Sequence, residues 1–360
     1  MFGSKKTALI TGIAGQDGGY LAEFLIRRGY KVHGLVRWDS YMDPADGLRR
    51  LEALGLTDAA LTLHQGDVTD AQSVAALLKE IRPQEIYHLA AMSQVGVSFK
   101  TPAATLDINT KGTLALLEAI RLLDMEKSVR MYQASSSEMF GSAPAPQDEN
   151  TPFMPCSPYG VAKLAAFWLA RTYREAYGMH VSNGILFNHE SPARGEDFVT
   201  RKITKAVACI EAGSREVLKL GNLDSIRDWG HARDYVEGMW LMLQQPVPDD
   251  YVLATGQAYS VREFVERAFA QTGVSVVWQG TGIEETGREK RTGRLLVSVD
   301  ASLFRPKDVN HLLGNARKAQ DKLNWLPKYY FDDLVADMVN ADRALLWREA
   351  GGDSVWKMTG

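Results

Sequence analysis

Cysteine is scarce: Cys156 and Cys209 are the only two in 360 residues and lie far apart, so a disulfide framework is not what holds this fold. Basic excess is absent as well. The 41 Lys and Arg against 44 Asp and Glu leave a formal net charge of -3, which argues against general binding to nucleic acid or to a membrane surface. Anionic ligands must then be met by local clusters. Long hydrophobic runs are missing too, and the apolar run Thr7–Thr11 is far too short for a signal-peptide core or a membrane span, so the expected location is the cytoplasm. No internal repeat punctuates the chain. What is there is ordinary for a soluble globular enzyme: 45% apolar and 24% charged residues, and length enough for a large core.

Thr7–Thr11 reads as a short β-branched strand, followed by Gly12, Gly15 and Gly18 and then by Tyr20, Leu21, Phe24 and Leu25 at helical spacing. Glycines where a strand turns into a helix permit a tight turn and close backbone approach, and the free amides and dipole of the helix start attract a pyrophosphate. In this strand-glycine-helix-strand context the spacing predicts a dinucleotide site. The second strand, Lys31 to Arg37, ends where such folds meet the adenosine ribose, and an arginine there points to NADP. Asp39, two residues on, would repel a phosphate if it faced inward, so NAD stays open. A third strand, Leu61 to Val68, places Asp67 to bond the adenine amino group, and a fourth, Glu85 to Ala91, ends in small residues that let a cofactor lie on the backbone. Helices are predicted at Ala71 to Glu80 and Gly112 to Leu122, the second with Leu114, Leu117 and Ile120 on one face. The alternation predicts an α/β fold with a doubly wound parallel sheet of Rossmann type.

The fifth strand, Arg130 to Ser135, runs into Ser136, Ser137 and Glu138. A polar, proline-rich loop from Ala143 follows, and then Ser157 and Pro158 open a helix carrying Tyr159 and Lys163, four apart and so on one face. A tyrosine of pKa roughly 10 is a poor base at neutral pH, but a neighbouring ammonium and a nicotinamide cation favour its phenolate. Tyr159 could thus take a hydroxyl proton while hydride leaves the same carbon, with Ser136 sharing that proton. Glu138 is not needed by a plain alcohol dehydrogenase. Once a sugar carbon is a ketone, however, the neighbouring C–H is acidic, a carboxylate can remove it, the next hydroxyl departs as water and the hydride can return. The bland reading of Glu138 is a carboxylate near a helix-start dipole.

Later, His180 to Phe187 reads as a strand entering Asn188–Gly195, with a helix near Thr204 to Ala212, a strand at Glu216 to Gly221, a helix at Ser260 to Gln271, a loop over 279–294 and a terminal helix from Phe331 to Trp347. The expected division is a cofactor domain at 1–188 with a returning segment near 229–256, a smaller interwoven α/β substrate domain at 189–228 and 257–345, and a tail at 346–360.

Several stretches carry a likeness: Gly12 to Gly18, Gln133-Ala-Ser-Ser-Ser-Glu138, Ser157-Pro-Tyr-Gly-Val-Ala-Lys163, Gly184 to Pro192, Leu220 to Gly230 and Phe304 to Gly314. Together they resemble the GDP-mannose 4,6-dehydratase group of the extended short-chain dehydrogenase/reductase family. The resemblance implies C4 oxidation, loss of water across C5 and C6, and hydride return to C6, giving a 4-keto-6-deoxy GDP-sugar. It implies Ser136, Glu138, Tyr159 and Lys163 as catalytic residues and no metal. NADP contacts carried over by motif are Gly12, Ile13, Ala14, Gly15, Gln16, Asp17, Arg37, Asp67, Val68, Leu89, Ala90, Ala91, Met92, Ser93, Lys163, His189 and Arg194. For the GDP-sugar they are Asn188, Val199, Lys202, Asn222, Arg227 and Arg305, and a homodimer or homotetramer is implied. The chain departs from the group's pattern at Trp38-Asp-Ser40, at Met92, and at Met154 and Cys156, where a tyrosine and an arginine are usual. These departures keep open another GDP-sugar such as a GDP-manno-heptose. A GDP-sugar epimerase or reductase, which would not need Glu138, is a further alternative; a non-enzymatic NADP-binding regulator is argued against by the intact Tyr159 and Lys163.

Overall fold

The structure, a computed structural model, describes residues 5–37, 47–56, 61–309 and 311–349; Asp39 and Ser40 lie outside the described residues, as does most of the expected tail. The chain divides into two units, one of residues up to His189 with Ile226–Ala258 and Pro306–Lys328, the other of Glu190–Ser225, Tyr259–Arg305 and the residues from Tyr329 on.

In the first unit, short β-branched and aliphatic runs form seven strands: β1 (Thr7–Thr11), β2 (Lys31–Val36), β3 (Leu61–Gln65), β4 (Glu85–His88), β5 (Arg130–Ser136), β6 (His180–Leu186) and β7 (Asp250–Leu253). They pair in parallel in the order β7-β6-β5-β4-β1-β2-β3. The central strands are buried along nearly their whole length, as expected of a parallel sheet covered on both faces. On one face Leu9, Ile86, Met131 and Val181 pack with Leu116, Leu117 and Ile120 of the helix Gly112–Leu122. Register sets Thr11 beside both Leu35 and His88, and His88 beside Gln133, so the C-terminal ends of β1, β2 and β4 line up while β5 runs on to Ser136. Ligands of doubly wound sheets bind at that edge.

The helix Pro158–Tyr177 starts as its sequence predicts: Ser157 Oγ accepts from Gly160 N at 3.0 Å, Pro158 occupies the first turn, and Gly178 ends the helix with a left-handed φ of 62°. One expectation needs correcting. Segment 306–328, assigned from sequence to the second domain, belongs to the first unit, because Gln147 N donates to Leu313 O at 2.8 Å and Asn315 N to Gln147 O at 2.8 Å. Such main-chain pairing leaves no trace in side-chain pattern.

The second unit holds the helices Val199–Glu211, Val261–Ala270 and Phe331–Glu349 and a four-stranded sheet in which Val276–Gln279, Thr286–Glu289, Leu295–Val299 and Leu218–Leu220 are neighbours in that order. The stretch 279–294, expected as a loop, thus contains the strand Thr286–Glu289, antiparallel to Val276–Gln279 and to Leu295–Val299; Gly287 allows the close pairing, since a Cβ there would meet Trp278 at 2.9 Å. Buried Asp342 ties the first and last of these helices, 2.7 Å from Arg201 and from the Thr204 hydroxyl.

Candidate active site

At the end of β1 the chain makes its glycine turn. Gly12 has φ +74° and runs so close to β4 that a Cβ would sit 2.7 Å from Ala90 N; a Cβ on Gly18 would lie 2.4 Å from Gly12 O. The helix Gln16–Arg27 begins at Gly15 with no side-chain cap, so its first-turn amides are not taken by one. A half-buried glycine turn at a helix start, with Gly15 exposed, fits a pyrophosphate. On the neighbouring strand end, Leu89 to Met92 are half-buried and Ser93 is exposed. Val68 is buried, and Asp67 accepts from Thr69 N and Oγ1 through one carboxylate oxygen, 2.8 and 2.7 Å away. Arg37 is exposed just past β2.

The central stretch converges within this unit. Ser136 ends β5 and its Oγ accepts from Glu138 N at 3.2 Å, capping a single 3-10 turn, Ser137–Met139. Gly160 lets the Tyr159 helix start against that turn: a Cβ there would stand 2.7 Å from Glu138 O. Ser136, Glu138, Tyr159 and Lys163 are all buried to at least nine-tenths. Lys163 Nζ donates to Ala134 O on β5 at 2.9 Å and lies 5.9 Å from the centre of the Tyr159 ring. Burial lowers the Lys163 pKa from 10.5 to about 8, against the opposing pull of the Asp17 carboxylate. A hydroxyl, a carboxylate, a phenol and a desolvated amine therefore surround one strand end and one helix start, a set able to move protons at two adjacent carbons. Met154 is tied to the same turn, its N donating to Met139 O and its O accepting from Ser142 N, each at 3.1 Å; its side chain is 48% exposed, and Cys156 Sγ reaches Met154 O at 3.5 Å.

Of the other expected contacts, Asn188 and His189 follow β6 in the first unit, where His189 Nε2 lies 2.8 Å from Asp17 Oδ2. Arg227 is buried there, donating to Val309 O at 2.7 Å and pairing with Asp308 at 3.3 Å, so its guanidinium is engaged with its own unit. In the second unit Arg194 pairs with Glu190 at 3.0 Å and covers the Phe198 ring, while Val199 and Lys202 open the helix Val199–Glu211. There Asn222 accepts from Asp224 N at 3.0 Å, and Arg305 is exposed.

Sequence reading missed three positioning groups. Asn109 lies in a π-helical turn, Asp107–Lys111, and clamps Met92 by accepting from its N at 2.8 Å and donating to its O at 3.2 Å. The π turn aims Asn109 inward, and nothing in the helical spacing announces it. Arg50 donates to Ala14 O of the glycine turn at 2.8 Å, a second cation beside the site from a helix distant in sequence. His88 bonds Thr11 Oγ1 at 2.7 Å, and burial, with Lys163 nearby, pushes its pKa down to about 3, which keeps it neutral.

A family profile described as GDP-mannose 4,6 dehydratase matches residues 9–338. A GDP-mannose 4,6-dehydratase of Sinorhizobium fredii is 52% identical over 95% of this chain and 98% of its own length. A human GDP-mannose 4,6 dehydratase is 50% identical over 95% and 92%. Among solved structures, MoeE5 in complex with UDP-glucose and NAD superposes with a TM-score of 0.74 at 25% identity, over 94% of this chain and 99% of that one.

Proposed function

Because the chain belongs to the GDP-mannose 4,6-dehydratase family, we propose that Ser136, Glu138, Tyr159 and Lys163 carry out that family's reaction at the end of β5. The activity is dehydration of GDP-mannose to GDP-4-keto-6-deoxy-mannose and water, that of a hydro-lyase. The observation that carries the residue roles is the close start of the Tyr159 helix on the Glu138 turn, permitted by Gly160.

The Gly12–Asp17 turn would hold a nicotinamide dinucleotide, which would supply the hydride chemistry, an acceptor for the hydride of C4 and its donor to C6. Tyr159 takes the C4 hydroxyl proton and Ser136 holds the same oxygen. Lys163 favours the phenolate through its ammonium. Glu138 removes the C5 proton, made acidic by the new ketone; the C6–O bond breaks, and the hydroxyl leaves as water with a proton from Glu138 or from solvent. A proton then returns to C5 as C6 becomes a methyl group. Support for the dinucleotide comes from the glycine turn and from NAD in MoeE5. We infer NADP as the form, since Arg37 directly follows β2 and Arg50 donates to Ala14 O. Asp67 and Val68 would hold the adenine end of the dinucleotide, and Leu89 to Ser93, clamped through Met92, its ribose and nicotinamide.

For the GDP moiety we infer Asn188, Val199, Lys202, Asn222, Arg227 and Arg305, and for the dinucleotide also His189 and Arg194; Arg227 is held in place by Asp308 and Val309 O. In that reading the first unit is the cofactor domain and the second the nucleotide-sugar domain. Self-association as a dimer or tetramer is supported by Val161 and Trp168, 47% and 49% exposed, and seven apart on the helix Pro158–Tyr177. Among the described residues no helix is long and apolar enough to cross a membrane.

The test is Glu138→Gln, mixed with GDP-mannose and NADP in a single turnover. Absorbance of reduced nicotinamide should accumulate while no deoxy product forms. Normal turnover would remove Glu138 from the mechanism, and absence of any reduction would leave it as a structural carboxylate.

A further inference from the structure

The helix Val199–Glu211 has two sides with different tasks. Thr200, Arg201, Ile203 and Thr204 are buried, whereas Val199 and Lys202, three apart and so on one face, lie on the opposite and more open side. Phe198 gives the helix no side-chain cap, so its own start does not fix it. The terminal helix Phe331–Glu349 packs against it and buries Leu334, Val335, Met338 and Val339. Apolar contact is non-directional and tolerates a small roll of one helix on the other.

Asp342 adds direction. Its Oδ1 lies 2.7 Å from Arg201 Nη2 and its Oδ2 accepts from Thr204 Oγ1 at 2.7 Å, so one carboxylate grips the neighbouring helix at two points. Arg201 in turn donates through Nη1 to Pro192 O, which joins the segment leading into the helix to the same clamp. Both charged side chains are buried, Asp342 1% and Arg201 8% exposed. Burial raises the Asp342 pKa against the pull of Arg201, so desolvation outweighs the attraction and the pair is a poor source of stability. What it supplies is register.

We propose that Asp342 is a positioning residue for the nucleotide sugar: from the terminal helix it fixes the roll of the helix Val199–Glu211, and with it Val199 and Lys202. The proposal rests on the reading of those two as GDP contacts. Side chains reach about 5 to 6 Å from a helix axis, so a roll of about 20° moves them about 2 Å, more than a hydrogen bond tolerates. Loss of one charge-assisted bond at Lys202 weakens binding about tenfold.

The experiment measures the GDP dissociation constant of the NADP-loaded protein, KM and kcat for GDP-mannose, NADP affinity and urea unfolding. The variants are Thr204→Val, Thr204→Ser, Lys202→Ala and the double change Arg201→Met with Asp342→Leu. The double variant replaces both charges by apolar groups of similar volume, so its urea midpoint should match or exceed that of wild type. GDP should nevertheless bind about tenfold more weakly and KM rise in step, with kcat within about twofold and NADP affinity unchanged. Thr204→Val removes one of the two grips at nearly constant shape and should weaken GDP about threefold; Thr204→Ser keeps the hydroxyl and should bind GDP as wild type does. A double variant with wild-type midpoint and wild-type GDP affinity overturns the proposal. Should that variant fail to fold, the two Thr204 variants decide, and equal GDP affinity in both overturns it. Joint loss of kcat, NADP affinity and GDP affinity also overturns it, since the pair is then a support of the whole fold. Full GDP affinity in Lys202→Ala refutes instead the GDP reading on which the clamp depends.

Discussion

Lys163→Met should make the protein more stable while abolishing its activity. The amine is fully buried, and the fall of its pKa from 10.5 to about 8 corresponds to about 3 kcal/mol held against the ammonium in the folded state. Methionine keeps the stem's length and volume. It loses the hydrogen bond to Ala134 O, a cost of about 1 to 2 kcal/mol that is limited because Gln133 Nε2 also donates to that oxygen, at 3.2 Å. The net gain at pH 7 is then about 1 to 2 kcal/mol. Its pH dependence has a definite sign. The lysine stays protonated to about pH 10.5 when unfolded but only to about 8 when folded. Between those values unfolding takes up a proton, and wild type gains stability as pH rises. Below pH 8 the penalty is fully present, so the variant's advantage is greatest there and shrinks by about 2 kcal/mol by pH 9.5. Urea unfolding of the nucleotide-free protein at pH 7 and 9.5, with turnover measured alongside, reads both effects. A variant less stable than wild type at pH 7, or an advantage that does not change with pH, would refute the reasoning.

Gly160→Ala puts a Cβ 2.7 Å from Glu138 O, so the turn carrying that carboxylate must move; kcat should fall at least about tenfold with NADP affinity little changed, and equal loss of both would mean the whole sheet edge has shifted. Asn109→Ala leaves Met92 N and O without their clamp and should cost about 1 to 3 kcal/mol of stability and weaken NADP, measured by urea unfolding and titration. His33 and His64 stack between β2 and β3, bonded at 2.8 Å, and burial with the neighbouring ring takes His33 down to about 4. Unfolded histidine titrates near 6.5, so this stability is present above that pH and is lost as pH falls toward 4; His64→Leu should flatten the loss of urea midpoint between pH 7 and 5.

What could be read from sequence was what local spacing encodes. The glycine turn, the strand ends and the helix start at Ser157 each rest on residues within a few positions of one another, and their periods and caps are specific. Ser136 and Glu138 were legible beside Tyr159 and Lys163 because β5 and the following helix supply all four within one short stretch. Asn109 was not, because a π turn breaks the period by which inward faces are recognised. Arg50 acts on a carbonyl 36 residues away, and the 306–328 segment joins its unit by main-chain bonds to Gln147. Neither leaves a pattern in side-chain type. Arg227 was named from its motif and its charge, and its buried pairing with Asp308 became visible only in three dimensions.

The central claim is an internal redox cycle in which the hydride taken from C4 goes back to C6 of the same sugar. GDP-mannose deuterated at C4, turned over in ordinary water with no added reductant, tests it most directly. The account predicts a product lighter by one water, with the deuterium in the C6 methyl group and a solvent proton at C5. Deuterium lost to solvent, or a product that keeps all its oxygen atoms, would contradict it.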